Sequence, residues 1–157
     1  TITCNYDGFQ KYKTKIGDRV HSPLIPHGAA DFFVSFENLE ALRFAHELKP
    51  GGVAVVNDQE IRPTTVSTGQ AEWPEDLDAR LRSTFPKLDL VPALVLATGL
   101  GNVKVVNVVM IGALSRHLDF PTDLWRETIA AMVPEKVRKI NLEAFEAGRS
   151  ALARASA

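Results

Sequence analysis

The sequence predicts an α/β fold: a single domain with a mostly parallel sheet flanked by helices, and C-terminal helices packed on it. Three observations carry this. Asp31 to Asn57, DFFVSFENLEALRFAHELKPGGVAVVN, reads as strand, helix, strand. Its two strand segments, around Phe32–Phe36 and Val53–Val56, are apolar with little alternation, as in strands covered on both faces. The stretch also has the length of a β-α-β crossover, about 30 residues, which is nearly always right-handed.

Within that unit, Asn38 has the side chain to cap the helix by accepting from its orphan amides. Ala41, Phe44, Ala45 and Leu48 recur at i, i+3, i+4, i+7 and make the inward face. Glu40, Arg43 and Glu47 fall on the solvated side, and His46 with them. Pro50, Gly51 and Gly52 supply a stop.

Upstream, Thr1–Asn5 reads as an edge strand and Asp7-Gly8 as a turn. Lys11, Lys13 and Lys15 alternate with Tyr12, Thr14 and Ile16, as in a half-exposed strand, and Gly17-Asp18 turns the chain. His21 to Gly28, HSPLIPHG, is an extended, proline-stiffened loop. Loops held on a rigid scaffold often carry binding, and this is the best loop of that kind here.

Downstream, Gln59–Asp76 is rich in Pro, Thr, Ser and Gly, with a short strand expected at Thr64–Ser67. Pro74 opens a short helix with Leu77, Leu81 and Phe85 near one face, and Leu88 and Leu90 alternate in a brief strand. Val95–Leu114 is ambiguous. Its valines favour strand, whereas a helix ended by glycine near Ala97–Gly101 and a buried helix over Lys104–Arg116 fit as well. In the helical reading Asn107 is a buried polar group that needs a partner, and Gly112 lets another backbone approach closely. Pro121 opens a helix with Leu124, Trp125, Thr128, Ile129 and Met132 inward. Pro134 opens the last, with Val137, Ile140, Ala144, Gly148 and Ala151 inward. Glu135, Lys136, Arg138, Lys139, Glu143, Glu146 and Arg149 lie outward on it, with a Glu135–Lys139 pair.

Composition narrows the function classes. The chain of 157 residues is 45% hydrophobic and 24% charged, ordinary for a folded domain and too apolar for a disordered one. A formal net charge of -1 argues against a nucleic-acid surface, which needs clustered cations. No apolar run reaches the roughly 18 residues that span a bilayer. No signal peptide is expected at the start either. A single cysteine, Cys4, can make neither an internal disulfide nor an iron–sulfur site alone, so a cytoplasmic setting is expected.

Little of the residue chemistry points to an autonomous active site. Gly99-Leu-Gly101-Asn-Val-Lys104 is a near miss to the dinucleotide fingerprint, lacking its third glycine and a following strand. It leaves a free-standing nucleotide-binding module as the alternative reading. His21 and His27 have no third metal ligand nearby in sequence, and His117 ends a helix. No nucleophile is paired with a base, so no catalytic, cofactor-binding or metal-binding residue is assigned.

The segments SPLIPHGAADFFVSFENLEALR, LKPGGVAVVN, GNVKVVNVVMIGAL and VPEKVRKINLEAFEAGR, in this order, resemble the gamma-type domain of 2-oxoacid:ferredoxin oxidoreductases. Within that family the resemblance is nearest to the beta subunit of indolepyruvate:ferredoxin oxidoreductase; it covers most of the chain from about Lys15 onward, and a single domain of this type is expected over residues 1–157. The family's opening glycine-rich turn and helix do not occur in the sequence as given. The resemblance implies a cofactor-free subunit without independent activity. Its large partner subunit would carry thiamine diphosphate and 4Fe–4S clusters, make acyl-CoA from coenzyme A and a 2-oxoacid, and reduce ferredoxin or a similar acceptor. Under it, His21, Ser22 and His27, and secondarily Asn107, are the expected contacts with the partner or the substrate entrance. Neither nucleic acid nor membrane is an expected partner.

Overall fold

The computed structural model describes residues 1–5, 11–22, 24–62, 66, 68–69, 72–74 and 76–155. The expected turn at Asp7-Gly8 and, apart from Val66, the expected strand at Thr64–Ser67 lie outside them. The chain gathers into two compact units, Thr1–Leu90 and Val91–Ala157.

The first unit is built on a five-stranded sheet in the order β2-β1-β3-β4-β5. Its strands are β1 (Ile2–Asn5), β2 (Lys11–Thr14), β3 (Ala30–Ser35), β4 (Leu48–Asn57) and β5 (Leu88–Val91). β1 runs antiparallel to β2 and parallel to β3, and β3 runs parallel to β4. The β-α-β reading of residues 31–57 is therefore correct. β1, expected at an edge, lies inside the sheet, with Thr3 buried; the lysine strand β2 takes the edge.

Helix α1 (Asn38–Arg43) bridges β3 and β4 and packs on both and on helix α2 (Leu77–Thr84). The core joins Phe33 and the small residues Ala41 and Ala54 to Val56, Leu81 and Phe85. The rings of Phe33 and Phe85 stack at 6.0 Å. Each large side chain so buried contributes about 1.5–3 kcal/mol.

Three boundaries differ from expectation. The cap of α1 is Glu37, not Asn38: Glu37 has extended backbone, and its Oε2 accepts from the Glu40 amide at 2.7 Å. Asn38 is the first helical residue, buried, and its Nδ2 donates to Asp58 at 3.2 Å. The helix also ends early. A 3-10 turn, Ala45–Glu47, follows it, and β4 starts at Leu48, so Pro50-Gly51-Gly52 lies within a strand. Those residues form a bulge. Ala30 opposes Leu48 and Phe32 opposes Val53, leaving Lys49, Pro50, Gly51 and Gly52 opposite Asp31 alone. Gly51 sits at φ 74°, and a Cβ on Gly52 would lie 2.6 Å from the Leu48 side chain. Both positions require glycine.

The second unit is helical: α3 (Ala93–Gly99), α4 (Val106–Leu114), α5 (Thr122–Met132) and α6 (Glu135–Ala155), with 3-10 turns at Val103–Val105 and Ser115–His117. The ambiguity over 95–114 is resolved as helix, because burial of nearly every side of α4 outweighs valine's strand preference. α4 crosses α6 with their backbones in contact. A Cβ on Gly112 would lie 2.1 Å from the Phe145 carbonyl oxygen, and one on Gly148 1.9 Å from the Val109 carbonyl oxygen. The expected role of Gly112 is met, and Gly148 reciprocates.

Side-chain placement departs from the expected faces in places. On α5 only Ile129 is buried, Trp125 is half-buried, Thr128 is exposed, and Leu124 and Met132 are exposed at 50% and 81%. On α6 the buried set includes Asn141, Phe145 and Leu152, outside the expected stripe. Asn141 is satisfied by donating to the Val137 carbonyl of its own helix at 2.8 Å. Lys139 pairs forward with Glu143 at 3.8 Å. Glu146 and Arg149 are half-buried rather than solvated, paired with Arg126 and Ser115. No helix among the described residues is long and apolar enough to cross a membrane.

Candidate functional site

The most concentrated ionisable chemistry of the first unit surrounds Glu47. Sequence periodicity puts this residue on the solvated side of a helix. The early end of α1 redirects it: as the last residue of the 3-10 turn it points inward, 1% exposed. A buried carboxylate needs charged or hydrogen-bonding partners. Lys13, from edge strand β2, donates to Oε2 at 2.9 Å and also to the Ile25 carbonyl at 2.9 Å. One lysine thus fastens the proline loop and the carboxylate together.

The other oxygen, Oε1, faces two imidazoles. His27 Nδ1 lies at 3.2 Å and His46 Nε2 at 3.8 Å. The two rings sit 5.0 Å apart, tilted by 50°. Gly28, at φ 69°, lets the chain turn immediately after His27 and return into β3. Glu47 is buried while His27 and His46 are 73% and 53% exposed, so the site is open on the imidazole side.

The sequence-derived candidates fare unequally. His27 belongs to this cluster, whereas His21 is exposed elsewhere on the loop. Ser22 Oγ accepts from the Leu24 amide at 3.2 Å, which stiffens the loop. Asn107 is exposed on the first turn of α4, so the buried polar anchor expected there is not formed. Its neighbours Val108 and Val109 take the buried positions, and turning the helix to bury Asn107 would expose them. In sequence, His46 and Glu47 look like ordinary solvated residues, because helical periodicity puts both on the outward side. His21 and His27 have no third ligand nearby in sequence; His27 finds its companions, His46 and Glu47, across the fold. The only sequence signal for Glu47 was its place just before Leu48-Lys-Pro-Gly-Gly, where a helix can end early.

The helical unit offers less. A groove of about 550 Å³ is lined by Leu96, Leu142, Ala147 and Ala151, with Arg126 at its side. Arg126 spends its guanidinium on Glu146 at 2.7 Å and Asp123 at 3.1 Å. The glycine pair at 99–101 also makes no phosphate cradle. Gly99 is the last residue of α3, and Gly101, at φ 84°, donates to the Thr98 carbonyl at 2.9 Å. This is a helix C-terminus, whose carbonyl dipoles repel an anion.

The sequence matches the pyruvate ferredoxin/flavodoxin oxidoreductase family over residues 7–151. The chain belongs to that family. Curated relatives in it are named indolepyruvate oxidoreductase subunit IorB. The protein of Pyrococcus horikoshii is 38% identical over 139 residues, 85% of this chain and 69% of that one. The protein of Archaeoglobus fulgidus is 33% identical over 145 residues, 90% of this chain and 72% of that one. Among solved structures, the chain is similar to a 2-oxoglutarate:ferredoxin oxidoreductase from Magnetococcus marinus, determined with 2-oxoglutarate, coenzyme A and succinyl-CoA bound. The TM-score is 0.54 at 21% identity, over 79% of this chain and 20% of that one. That likeness establishes the fold. As a member of the oxidoreductase family, the chain is part of an enzyme complex, and the free-standing nucleotide module is not favoured.

Proposed function

We propose that the chain is the cofactor-free subunit of a 2-oxoacid oxidoreductase that acts on aryl pyruvates such as indolepyruvate. The assembled enzyme makes acyl-CoA and reduces ferredoxin or a similar acceptor. The observation that carries this reading is identity of 33–38% to indolepyruvate oxidoreductase subunits across most of the chain. In this reading a large partner subunit holds thiamine diphosphate, which supplies decarboxylation, and the 4Fe–4S clusters, which carry electrons. The residues of this chain do not fit such a cluster, because four thiolates are needed and the sequence has one cysteine. Coenzyme A is a substrate of the complex. A cytoplasmic setting belongs to the same reading.

The loop from His21 to His27 is the proposed contact with the partner or the substrate entrance. Its prolines and the Ser22 turn limit the entropy lost on docking. Asn107, exposed on α4, is a secondary contact in the same proposal. The test is reconstitution. The chain alone should not turn over indolepyruvate, and adding the large subunit should give CoA-dependent reduction of the acceptor. Turnover by the isolated chain, or a fully active large subunit without it, would reject the reading. Single replacement of His21, Ser22 and Asn107 in the complex locates the contact. Unchanged assembly and kinetics at all of them would remove both contacts from the proposal.

A further inference from the structure

Three metal-ligating side chains from two places in the first unit converge on one point. His27 comes from the proline loop, and His46 and Glu47 from the 3-10 turn before β4. Their ligand atoms, His27 Nδ1 or Nε2, His46 Nδ1 or Nε2 and a Glu47 oxygen, lie within 4.8 Å of one another. Donor atoms about 2.0–2.1 Å from a tetrahedral zinc ion stand about 3.4 Å apart. The separations of Glu47 Oε1 from the two imidazole nitrogens, 3.2 and 3.8 Å, bracket that value. Both rings are exposed, His27 at 73% and His46 at 53%.

We propose that His27, His46 and Glu47 bind a divalent transition-metal ion of the zinc class, with water in the fourth position. The donor set is two imidazoles and one carboxylate oxygen, which suits zinc and disfavours magnesium and calcium, ions that take oxygen ligands. The outer contacts are in place as well. Lys13 holds Glu47 Oε2 at 2.9 Å, so Oε1 stays aimed at the imidazoles, and a ligating carboxylate is ordinarily steadied by such a hydrogen bond. Glu47 is 1% exposed, so its position is set by packing and not by the ion. Bound there, the ion ties the proline loop to the start of β4. This assignment does not depend on which substrate the complex uses.

The test uses the complete chain stripped of metal, titrated with Zn2+ and, for an optical signal, Co2+. Expected are one saturable site per chain, visible absorption typical of low-coordinate cobalt, and a rise in Tm with Zn2+ that Mg2+ does not reproduce. His27→Ala and His46→Ala, both at exposed positions that tolerate truncation, should each weaken binding at least tenfold. His21→Ala, on the same loop but outside the cluster, should leave it unchanged. Absence of saturable binding, or binding that survives either His27→Ala or His46→Ala, would overturn the proposal. Because the readout is binding, failure here leaves the enzyme-subunit reading standing, and failure of reconstitution leaves this one standing.

Discussion

The two units solve the same problem, holding elements together in a small volume, by opposite means. The sheet unit accepts an ionisable group into its interior: Glu47 is buried, paired with Lys13 through one oxygen, and faces two imidazoles with the other. The helical unit strips side chains away, and α4 meets α6 through Gly112 and Gly148. A buried ion pair depends on the identity of both groups, because removing one leaves the other charge uncompensated. A backbone contact at less than a Cβ diameter tolerates no added volume. The sheet unit is therefore sensitive to chemistry at its special point, and the helical unit to volume.

The sharpest way to break this contrast is to add one methyl group to the helix crossing. Gly112→Ala and Gly148→Ala should each destabilise by about 3 kcal/mol, as overpacking against backbone exceeds the gain in helix propensity of about 1 kcal/mol. Denaturant unfolding of the chain measures it. Neutral effects at both would show that the helices can separate without cost. Next is Glu47→Ala, which strands the part-buried Lys13 ammonium. The expected loss is about 2–3 kcal/mol, below the value for a fully buried pair because Lys13 keeps a quarter of its side-chain exposure. Lys13→Met combined with Glu47→Leu should recover much of that loss; no recovery would mean that the imidazoles, not the lysine, hold Glu47.

How far the sequence reaches follows the same division. The runs at Phe32–Phe36 and Val53–Val56 announce β3 and β4, because a fully buried strand has no reason to alternate. Gly112 could be read because glycine inside an apolar helix has few other uses. The Glu47 cluster could not be read, since Lys13 stands 34 residues away and the turn that inverts Glu47 looks like a third helical turn. The bulge was missed for a related reason. Pro-Gly-Gly ends helices and bends strands by the same missing donor and permissive φ, and only pairing with Asp31 decides between them. Asn107 was misread because α4 is apolar nearly all round, so periodicity does not say which side of it faces solvent.

Two smaller effects sharpen the comparison. Gly99→Ala has open space around the new Cβ and helical backbone, so it should stabilise by up to about 1 kcal/mol, in contrast with Gly112 one helix later. A thermal melt suffices, and a loss would show that helix ends obey the same volume limit as the crossing. Asp31→Asn concerns the bulge. The Lys49 ammonium first, with the Thr1 hydroxyl behind it, holds the Asp31 carboxyl well below its ordinary value of 3.8. A depressed value means stability that is present above about pH 4 and lost as pH falls through the folded-state value. Asp31 is 37% exposed, so the loss at neutral pH should be under about 1 kcal/mol, and the variant's stability should fall less steeply below pH 4. An unaltered acid limb would assign that slope to other carboxylates.

The paired glycines also restrict motion. Sliding α6 by one residue along α4 would drive a methyl or larger group into a carbonyl oxygen, so no neighbouring register is sterically open. Side-chain rotation cannot relieve such a clash, because the position of a Cβ is fixed by the backbone. The two helices should accordingly travel as a single solid, and their central amides should exchange with deuterium only when the whole pair comes apart.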